Sequence, residues 1–250
     1  MSRDRLNDDE STPEHWLEKA IEAGSVSERE EFAQRGLSLV GADVTTRSLL
    51  MRQLHLALME RGEFAAALGV AEGMVKLGVL VDVCCHHVAL AHLALGSLDD
   101  AMRSWQQAVD VSTPWRRAFH LWTLGSALYC AGHLEAADVA LARAVTHAES
   151  VLPLFEAHLA LVRFDRGALD GVELDDVISE LSGDSGAGGY GQFVLGMLCA
   201  RRGRDAEAVE YLRSFVSPSA GRGKLASLAL SAELAMAEAQ LGELLGKPTA

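Results

Sequence analysis

The residues best suited to chemistry form one short segment that is rich in cysteine and histidine. Cys84, Cys85, His86 and His87 are consecutive, and His92 follows five residues later. Zinc binds thiolate and imidazole, but a structural site needs four ligands that converge as a tetrahedron. On a helix Cys85 and His92 share one face, whereas His86 and His87 point elsewhere. The sequence contains no second cluster with ligand spacing, so we predict that these residues pack inside a helical protein and bind no metal.

Other residues with catalytic potential occur as two isolated pairs, His133 with Glu135 and His147 with Glu149. The first pair is predicted at a turn between helices and the second near a helix end, where solvated His and Glu are ordinary. The sequence has no glycine-rich phosphate loop, nucleophile elbow or H-E-x-x-H sequence. We therefore predict a protein that is not an enzyme and needs no cofactor.

The elements that must position these residues repeat along the chain. Glycines recur at intervals of 34, 36, 35 and 36 residues, at Gly62, Gly96, Gly132, Gly167 and Gly203. A period near 34 residues, with similar small and apolar residues around each glycine, is the signature of stacked helical hairpins. Such arrays build a surface that holds another molecule. The period therefore favours a binding function.

The copy around Gly132 shows the packing pattern most clearly. With Gly132 as repeat position 15, large residues occupy positions 4, 7, 11, 17 and 24, and small ones occupy 8, 20 and 27: Leu121, Leu124, Leu128, Leu134, Leu141, Gly125, Ala137 and Ala144. Two helices approach closely only where their contact residues are small, and large residues fill the grooves on either side. This pattern resembles the tetratricopeptide repeat. The resemblance covers residues 48–218, although Asp205 breaks position 17 of the last copy.

The resemblance implies an all-α fold, a right-handed α-solenoid of tetratricopeptide-like helical hairpins with a closing C-terminal helix. We assign residues 1–11 to a disordered tail, 12–47 to a degenerate N-terminal hairpin, 48–218 to five repeats and 223–246 to a capping helix.

Local signals support these boundaries. Thr12 and Pro13 predict the start of the first helix, and Ser27 with Glu30 predicts a capping box for the second. A glycine-rich run over 182–189 predicts a flexible loop.

Composition restricts the class of partner and the compartment. The chain of 250 residues has a formal net charge of −13, which argues against binding to nucleic-acid phosphates. Its N-terminus lacks the apolar stretch of a signal peptide, and no segment approaches 18 uninterrupted apolar residues, so we predict no membrane insertion. The four cysteines include an adjacent pair and do not form a disulfide framework. These features predict a cytoplasmic protein.

The resemblance also implies a binding surface, since the first helix of each tetratricopeptide hairpin lines a concave groove. Repeat positions 2, 5, 9 and 12 carry the expected partner-binding residues: Arg52, Leu56, Met59, His86, Leu90, Leu93, Phe119, Trp122, Ser126, Tyr129, Leu161, Phe164, Tyr190, Phe193 and Met197. They are mostly apolar, and no Asn occurs at position 9, so we do not expect a carboxylate clamp. We predict that the groove binds an amphipathic helix or an extended apolar segment of a protein partner.

Trp115, Phe119, Trp122 and Tyr129 form an aromatic stripe along one side of a helix. Buried aromatic residues of this kind are typical anchors of protein interfaces. Three other readings remain open: a homodimer, a closing helix that folds back over the stripe, or a core position. The last would follow from a register error, because one residue rotates every assignment by about 100°.

The sequence therefore predicts a non-catalytic cytoplasmic adaptor or scaffold. One alternative is a chaperone-like or regulatory protein that masks a hydrophobic segment of a secreted or signalling partner. A second is a ligand-sensing repeat regulator.

Overall fold

A computed structural model describes residues 12–148, 152–217 and 223–246 of the chain. Within these ranges the regular structure is entirely helical. The helices are α1 (Pro13–Glu22), α2 (Val26–Ser38), α3 (Val44–Arg61), α4 (Phe64–Leu77), α5 (Val81–Ala94), α6 (Leu98–Val111), α7 (Pro114–Cys130), α8 (Leu134–His147), α9 (Leu152–Asp165), α10 (Gly171–Ser182), α11 (Tyr190–Arg201), α12 (Asp205–Val216), α13 (Lys224–Ala229) and α14 (Ser231–Leu244). The tail predicted over residues 1–11 lies outside the described residues.

The chain divides into two compact units, Met1–Val111 and Ser112–Ala250. The first unit contains α1 to α6, and the second contains α7 to α14. Consecutive helices pack against each other from α1 to α6 in the first unit and from α7 to α12 in the second, as helical hairpins do. The predicted all-α fold built from such hairpins is therefore confirmed.

The recurring glycines end the first helix of each of five hairpins. Gly62, Gly96, Gly132, Gly167 and Gly203 all have positive φ, between 70° and 83°. Residues with a Cβ are strained in this left-handed region, whereas glycine is not. At the α7–α8 turn the glycine amide donates to the carbonyl of residue 129 and the next amide donates to that of residue 128, both at 2.9 Å. These bonds close a Schellman motif and satisfy the last carbonyls of the helix.

Helices within a hairpin cross where one side chain is missing. A Cβ added at Gly125 would lie 2.6 Å from Cγ of Leu141, and one added at Gly196 would lie 2.5 Å from Leu212. Both glycines occupy repeat position 8, and both leucines occupy position 24. The packing of a large residue on a small one, which the sequence predicts, is thus the contact at which α7 approaches α8 and α11 approaches α12.

The N-terminal hairpin differs from its prediction at one cap. Helix α1 begins at Pro13, as expected. The N-cap of α2 is Ser25, whose hydroxyl accepts a hydrogen bond from the Glu28 amide at 3.2 Å. The predicted N-cap, Ser27, lies inside the first turn, because Ser25 offers the same chemistry two residues earlier. Helix α3, which ends at the first of the recurring glycines, begins at Val44.

The C-terminal segment forms two helices in place of one long capping helix. Helices α13 and α14 are separated at Leu230, which has φ −106° and ψ 18°. Helix α14 packs against α7, α11 and α12 of the second unit. The glycine-rich run over 182–189 contains a short 3₁₀ helix, Ser185–Ala187, which packs against α9, α10 and α11.

Candidate functional site

In the first unit, the predicted groove residues lie on α3 and α5, and most of them are half-buried. Five of the six are half-buried: Arg52, Leu56, His86, Leu90 and Leu93. The sixth, Met59, is buried in the core of its unit. The first unit therefore presents a partly exposed surface that is apolar at the three leucines and carries one arginine.

Next to that surface lies a cluster of histidines. Arg52 Nε donates to Nε2 of His87 at 3.1 Å, and the His87 ring lies 4.8 Å from that of His55. Nδ1 of His55 lies 3.0 Å from the carbonyl oxygen of Ala67, which requires a proton on that nitrogen. Burial lowers the pKa of both His55 and His87, so both rings are neutral near pH 7. His86 is tied elsewhere, since Nε1 of Trp105 donates to its Nδ1 at 3.1 Å.

The side chains of the cysteine–histidine segment of α5 make separate contacts and do not converge on one point. Cys84 and Cys85 are buried, and the thiol of Cys84 donates to the carbonyl of Val79 at 3.5 Å. Burial raises the pKa of Cys84, and it raises that of Cys85 to about 11. Over residues 12–148, 152–217 and 223–246, no group of three or more His, Cys, Asp or Glu side chains could hold a metal ion. The segment packs in the helical array as its spacing predicts.

In the second unit, the aromatic stripe of α7 passes from solvent into the core. Trp115 is 65% exposed and Phe119 is 47% exposed. Trp122 is half-buried, and Tyr129 is buried. The first two turns of α7 therefore present aromatic rings to solvent, whereas its last turns are covered.

Trp122 belongs to a continuous cluster of aromatic rings. Its ring stacks on Phe155 with centroids 5.4 Å apart and planes at 16°, and it meets Tyr190 edge-on at 4.6 Å. His158 lies 5.7 Å from the Tyr190 ring, and Phe193 lies 5.5 Å from it. Such geometries are the favoured ones for aromatic pairs. The cluster joins α7, α9 and α11. Trp122, Tyr190 and Phe193 occupy predicted groove positions, whereas Phe155 and His158 do not.

Several predicted groove residues are consequently core residues of the second unit. Five are buried, namely Ser126, Tyr129, Leu161, Phe193 and Met197, while Phe164 and Tyr190 are half-buried. The physical reason is that α14 packs against α7 and α11, while α9 packs against α11. At these positions the side chains are buried, whereas an open groove would leave them accessible.

A buried carboxylate connects α14 to this cluster. Ser126 Oγ donates to Oε1 of Glu233 at 2.6 Å, and the hydroxyl of Tyr190 lies 2.6 Å from Ser126 Oγ and 3.3 Å from Oε1 of Glu233. Glu233 is only 6% exposed, and no described Lys, Arg or His pairs with it. Burial therefore raises the pKa of its carboxyl group.

A second set of polar side chains, Tyr129, Asp165, Arg201 and Gln240, lines an open cleft of about 280 Å³. Tyr129 donates its hydroxyl proton to Oδ2 of Asp165 at 2.8 Å, and Arg201 Nε donates to Oδ1 at 2.7 Å. Arg201 NH1 also donates to Oε1 of Gln240 on α14 at 2.8 Å. Burial, reinforced by the Asp165 charge, raises the pKa of the Tyr129 hydroxyl. The cleft is bordered on the α14 side by Met236, Ala239, Gln240 and Glu243.

Two rings of the aromatic cluster hold buried nitrogens without hydrogen bonds. Trp122 Nε1 and both ring nitrogens of His158 have no partner among the described residues. An unpaired buried polar group costs about 1–3 kcal/mol. Burial also lowers the pKa of His158 to about 3, so its ring is neutral.

Sequence reasoning missed several residues of this site, among them Asp165, Phe155, His158 and Glu233. Phe155 and His158 lie on α9 at positions between the expected groove positions, and Glu233 lies on the closing helix. A signal for Glu233 existed, because it shares a spacing of four with Ala237 and Leu241. An acidic residue on the apolar stripe of a helix indicates a buried polar contact.

Comparison with known proteins identifies the fold. No family model matches the chain, and no curated protein is similar to it in sequence. Among solved structures, it is similar to a tetratricopeptide repeat protein from Parabacteroides merdae, with a TM-score of 0.60 and 16% sequence identity. The match covers 95% of this chain and 93% of that one. The chain therefore has the fold of a tetratricopeptide repeat protein, as its glycine period predicts. None of the helices in the described part of the chain has both the length and the hydrophobicity that a membrane span requires.

Proposed function

We propose that this protein is a non-catalytic cytoplasmic adaptor that binds an apolar segment of a protein partner. The observation that carries the proposal is the exposure of Trp115 and Phe119, one helical turn apart at the start of α7. The tetratricopeptide fold supports it, because this fold suggests a protein-interaction scaffold. Aromatic residues of this size dominate the binding free energy of protein interfaces.

The contacts around these rings suit an apolar segment. The guanidinium of Arg116 lies 4.7 Å from the Trp115 ring, and Phe119 lies 6.3 Å from Trp122. The exposed rings therefore continue into the packed cluster, which holds the α7 backbone in place before a partner arrives. Burying each large side chain contributes roughly 1.5–3 kcal/mol, and a micromolar affinity corresponds to about −8 kcal/mol. Two aromatic anchors contribute roughly 3–6 kcal/mol before the cost of association, so a micromolar partner must also bury several aliphatic side chains.

The experiment compares two double variants that differ only in which exposed apolar residues are removed. One carries Trp115→Ser with Phe119→Ser. The matched control carries Val139→Ser with Val172→Ser, at positions that are 61% and 72% exposed in the same unit. Each immobilised protein is incubated with cytosol of its natural source, and mass spectrometry identifies what it retains.

We expect the control to retain a partner that the aromatic variant loses. Both variants should unfold within about 1 kcal/mol of wild type, because exposed side chains contribute little to stability. If both variants retain the same proteins as wild type, the aromatic surface of α7 is not the binding site and the proposal fails.

A further inference from the structure

Buried polar side chains join α3 to α5 inside the first unit. Arg52 Nε donates to Nε2 of His87 at 3.1 Å, and the rings of His55 and His87 lie 4.8 Å apart. About one turn nearer the start of both helices, the hydroxyl of Ser48 bonds to the thiol of Cys84. We call these five residues the histidine seam. All of them except Arg52 are buried.

The hydrogen bond at the centre of the seam fixes the proton of the His87 ring. Because Arg52 Nε is a donor, Nε2 of His87 must accept, and the neutral ring carries its proton on Nδ1. That nitrogen has no hydrogen-bond partner among the described residues. A second proton would go to Nε2, where two N–H groups would then face each other and two positive charges would lie side by side. Protonation of His87 is therefore incompatible with the contact between α3 and α5.

The surroundings of His87 supply no anion that would stabilise an imidazolium. Burial is the main cause that lowers the pKa of His87, and His55, His86 and Arg52 lower it further. These three neighbours are neutral or positively charged. Asp82 lies in the first turn of α5, more than one turn before His87. The acidic side chains of α3, α4 and α6 are exposed or paired with an arginine: Glu60, Glu72, Asp99, Asp100 and Asp110.

We propose that the histidine seam is a pH-sensitive contact, at which the hairpin α5–α6 separates from the hairpin α3–α4 in mild acid while the second unit stays folded. His87 and His55 take up the protons that drive the separation, because their buried nitrogens reach water only when the hairpins part. This inference goes beyond the proposed function, since it assigns a regulatory device to the first unit and involves neither Trp115 nor Phe119.

The size of the effect follows from the number of protons taken up. A ring that is neutral in the closed form and protonated in the open form favours opening as the pH falls below about 6.5. Between pH 7.5 and 5.5 one such ring raises the opening equilibrium about tenfold. His87 supplies this factor. Burial also lowers the pKa of His55, which adds up to about another tenfold.

Hydrogen exchange of the full-length chain at pH 7.5 and 5.5 tests the proposal, with rates corrected for the intrinsic exchange at each pH. Helix α5 has 14 residues, and an isolated helix of this length is marginal in water, so its amides report the separation. The amides of α11 report the second unit. In the variant His87→Gln the amide oxygen still accepts from Arg52 but takes up no proton. The matched control is His92→Gln, at a half-buried position of the same helix.

We expect the opening equilibrium of α5 in wild type to rise about 10- to 100-fold from pH 7.5 to 5.5. The rise should be the same in His92→Gln and about tenfold smaller in His87→Gln, whereas the response of α11 should be equal in all three proteins. If His87→Gln leaves the response of α5 unchanged, the seam does not sense pH. If it reduces the responses of α5 and α11 together, acid unfolds the whole protein. Either result would overturn the proposal.

A second measurement uses wild type alone and needs no variant to fold. Urea unfolding at pH 5.5 gives the equilibrium constant for unfolding of the whole protein. The opening constant of α5 at the same pH should be at least about tenfold larger, because local separation requires less free energy than global unfolding. Equal constants would show that α5 opens only when the protein unfolds, and would also overturn the proposal.

Discussion

At the scale of single residues, two buried histidines differ in how they contribute to stability. His158 is fully buried and lacks hydrogen bonds to the described residues, and burial lowers its pKa to about 3. His87 is also held neutral, but it accepts a hydrogen bond from Arg52. The two rings therefore differ in degree. His87 exchanges water for a protein partner at Nε2, although its Nδ1 has no partner among the described residues, whereas both nitrogens of His158 give up their water and receive none. Only the second should tolerate an apolar replacement.

We expect His158→Phe to increase the free energy of unfolding by about 1 kcal/mol, since the phenyl ring keeps the aromatic contacts and removes two unpaired nitrogens. The matched variant His87→Phe should destabilise, because it leaves Arg52 Nε without its acceptor. Urea unfolding of both variants and wild type measures the difference. Destabilisation by His158→Phe would show that its nitrogens have partners in solution.

At the scale of elements, hairpin packing depends on glycines that make room for a leucine. Gly125 on α7 and Gly196 on α11 each face the leucine at position 24 of the same repeat. By contrast, Gly69 on α4 has no atom within 4 Å of the place where its Cβ would lie. The same residue type thus permits close contact at one helix and has no packing role at another.

We expect Gly125→Ala to destabilise the protein by about 1–3 kcal/mol, because the added methyl group overlaps Leu141 and forces α7 from α8. Gly69→Ala should stabilise it by about 0.5–1 kcal/mol, since alanine favours an exposed helix. Thermal unfolding followed by circular dichroism measures both. Similar melting temperatures for the two variants would contradict the role assigned to Gly125.

Particular elements show how far the sequence predicts this structure. The hairpins could be predicted because each turn requires a left-handed residue, and that requirement leaves a glycine such as Gly132 at a fixed period. The aromatic stripe of α7 could be predicted as well. That Phe119 is exposed while Tyr129 is buried could not, because both lie on one stripe and the cover over Tyr129 comes from other helices, including Asp165 and His158 of α9. The small residues of α14 do not indicate which surface it covers, and Leu230, where α13 ends, carries no helix-breaking signal.

For the molecule as a whole, we expect acid to lower the stability of both units because it protonates histidines on unfolding. Burial lowers the pKa of His55 and His87 in the first unit and of His158 in the second. A histidine with a lowered folded pKa adds stability above the unfolded value near 6.5 and loses it as the pH falls. Glu233 acts in the opposite sense, because its raised pKa favours the folded state as the pH approaches 4.5 from above. The net charge of −13 also becomes smaller in acid, which reduces repulsion within the chain.

The histidines dominate between pH 6.5 and about 5, where most carboxylates remain ionised. Each contributes a loss of up to about 1.4 kcal/mol per pH unit. We therefore expect the free energy of unfolding to be lower at pH 5.5 than at pH 7.5. The decrease should be smaller in His158→Phe, because that variant has one fewer histidine that takes up a proton on unfolding. Urea titrations at the two pH values test this. Equal stability at both would indicate that the rings are solvated.

The cysteines make this protein convenient for kinetic labelling experiments. Cys84, Cys85 and Cys199 are buried and Cys130 is half-buried, and burial raises the pKa of all four thiols. A thiol reacts as its thiolate, so these side chains are slow toward maleimides and disulfide reagents at neutral pH. A cysteine introduced on an exposed turn would be labelled first, without removal of the natural ones. The later reaction of Cys130, at the end of α7, would then time the opening of the second unit.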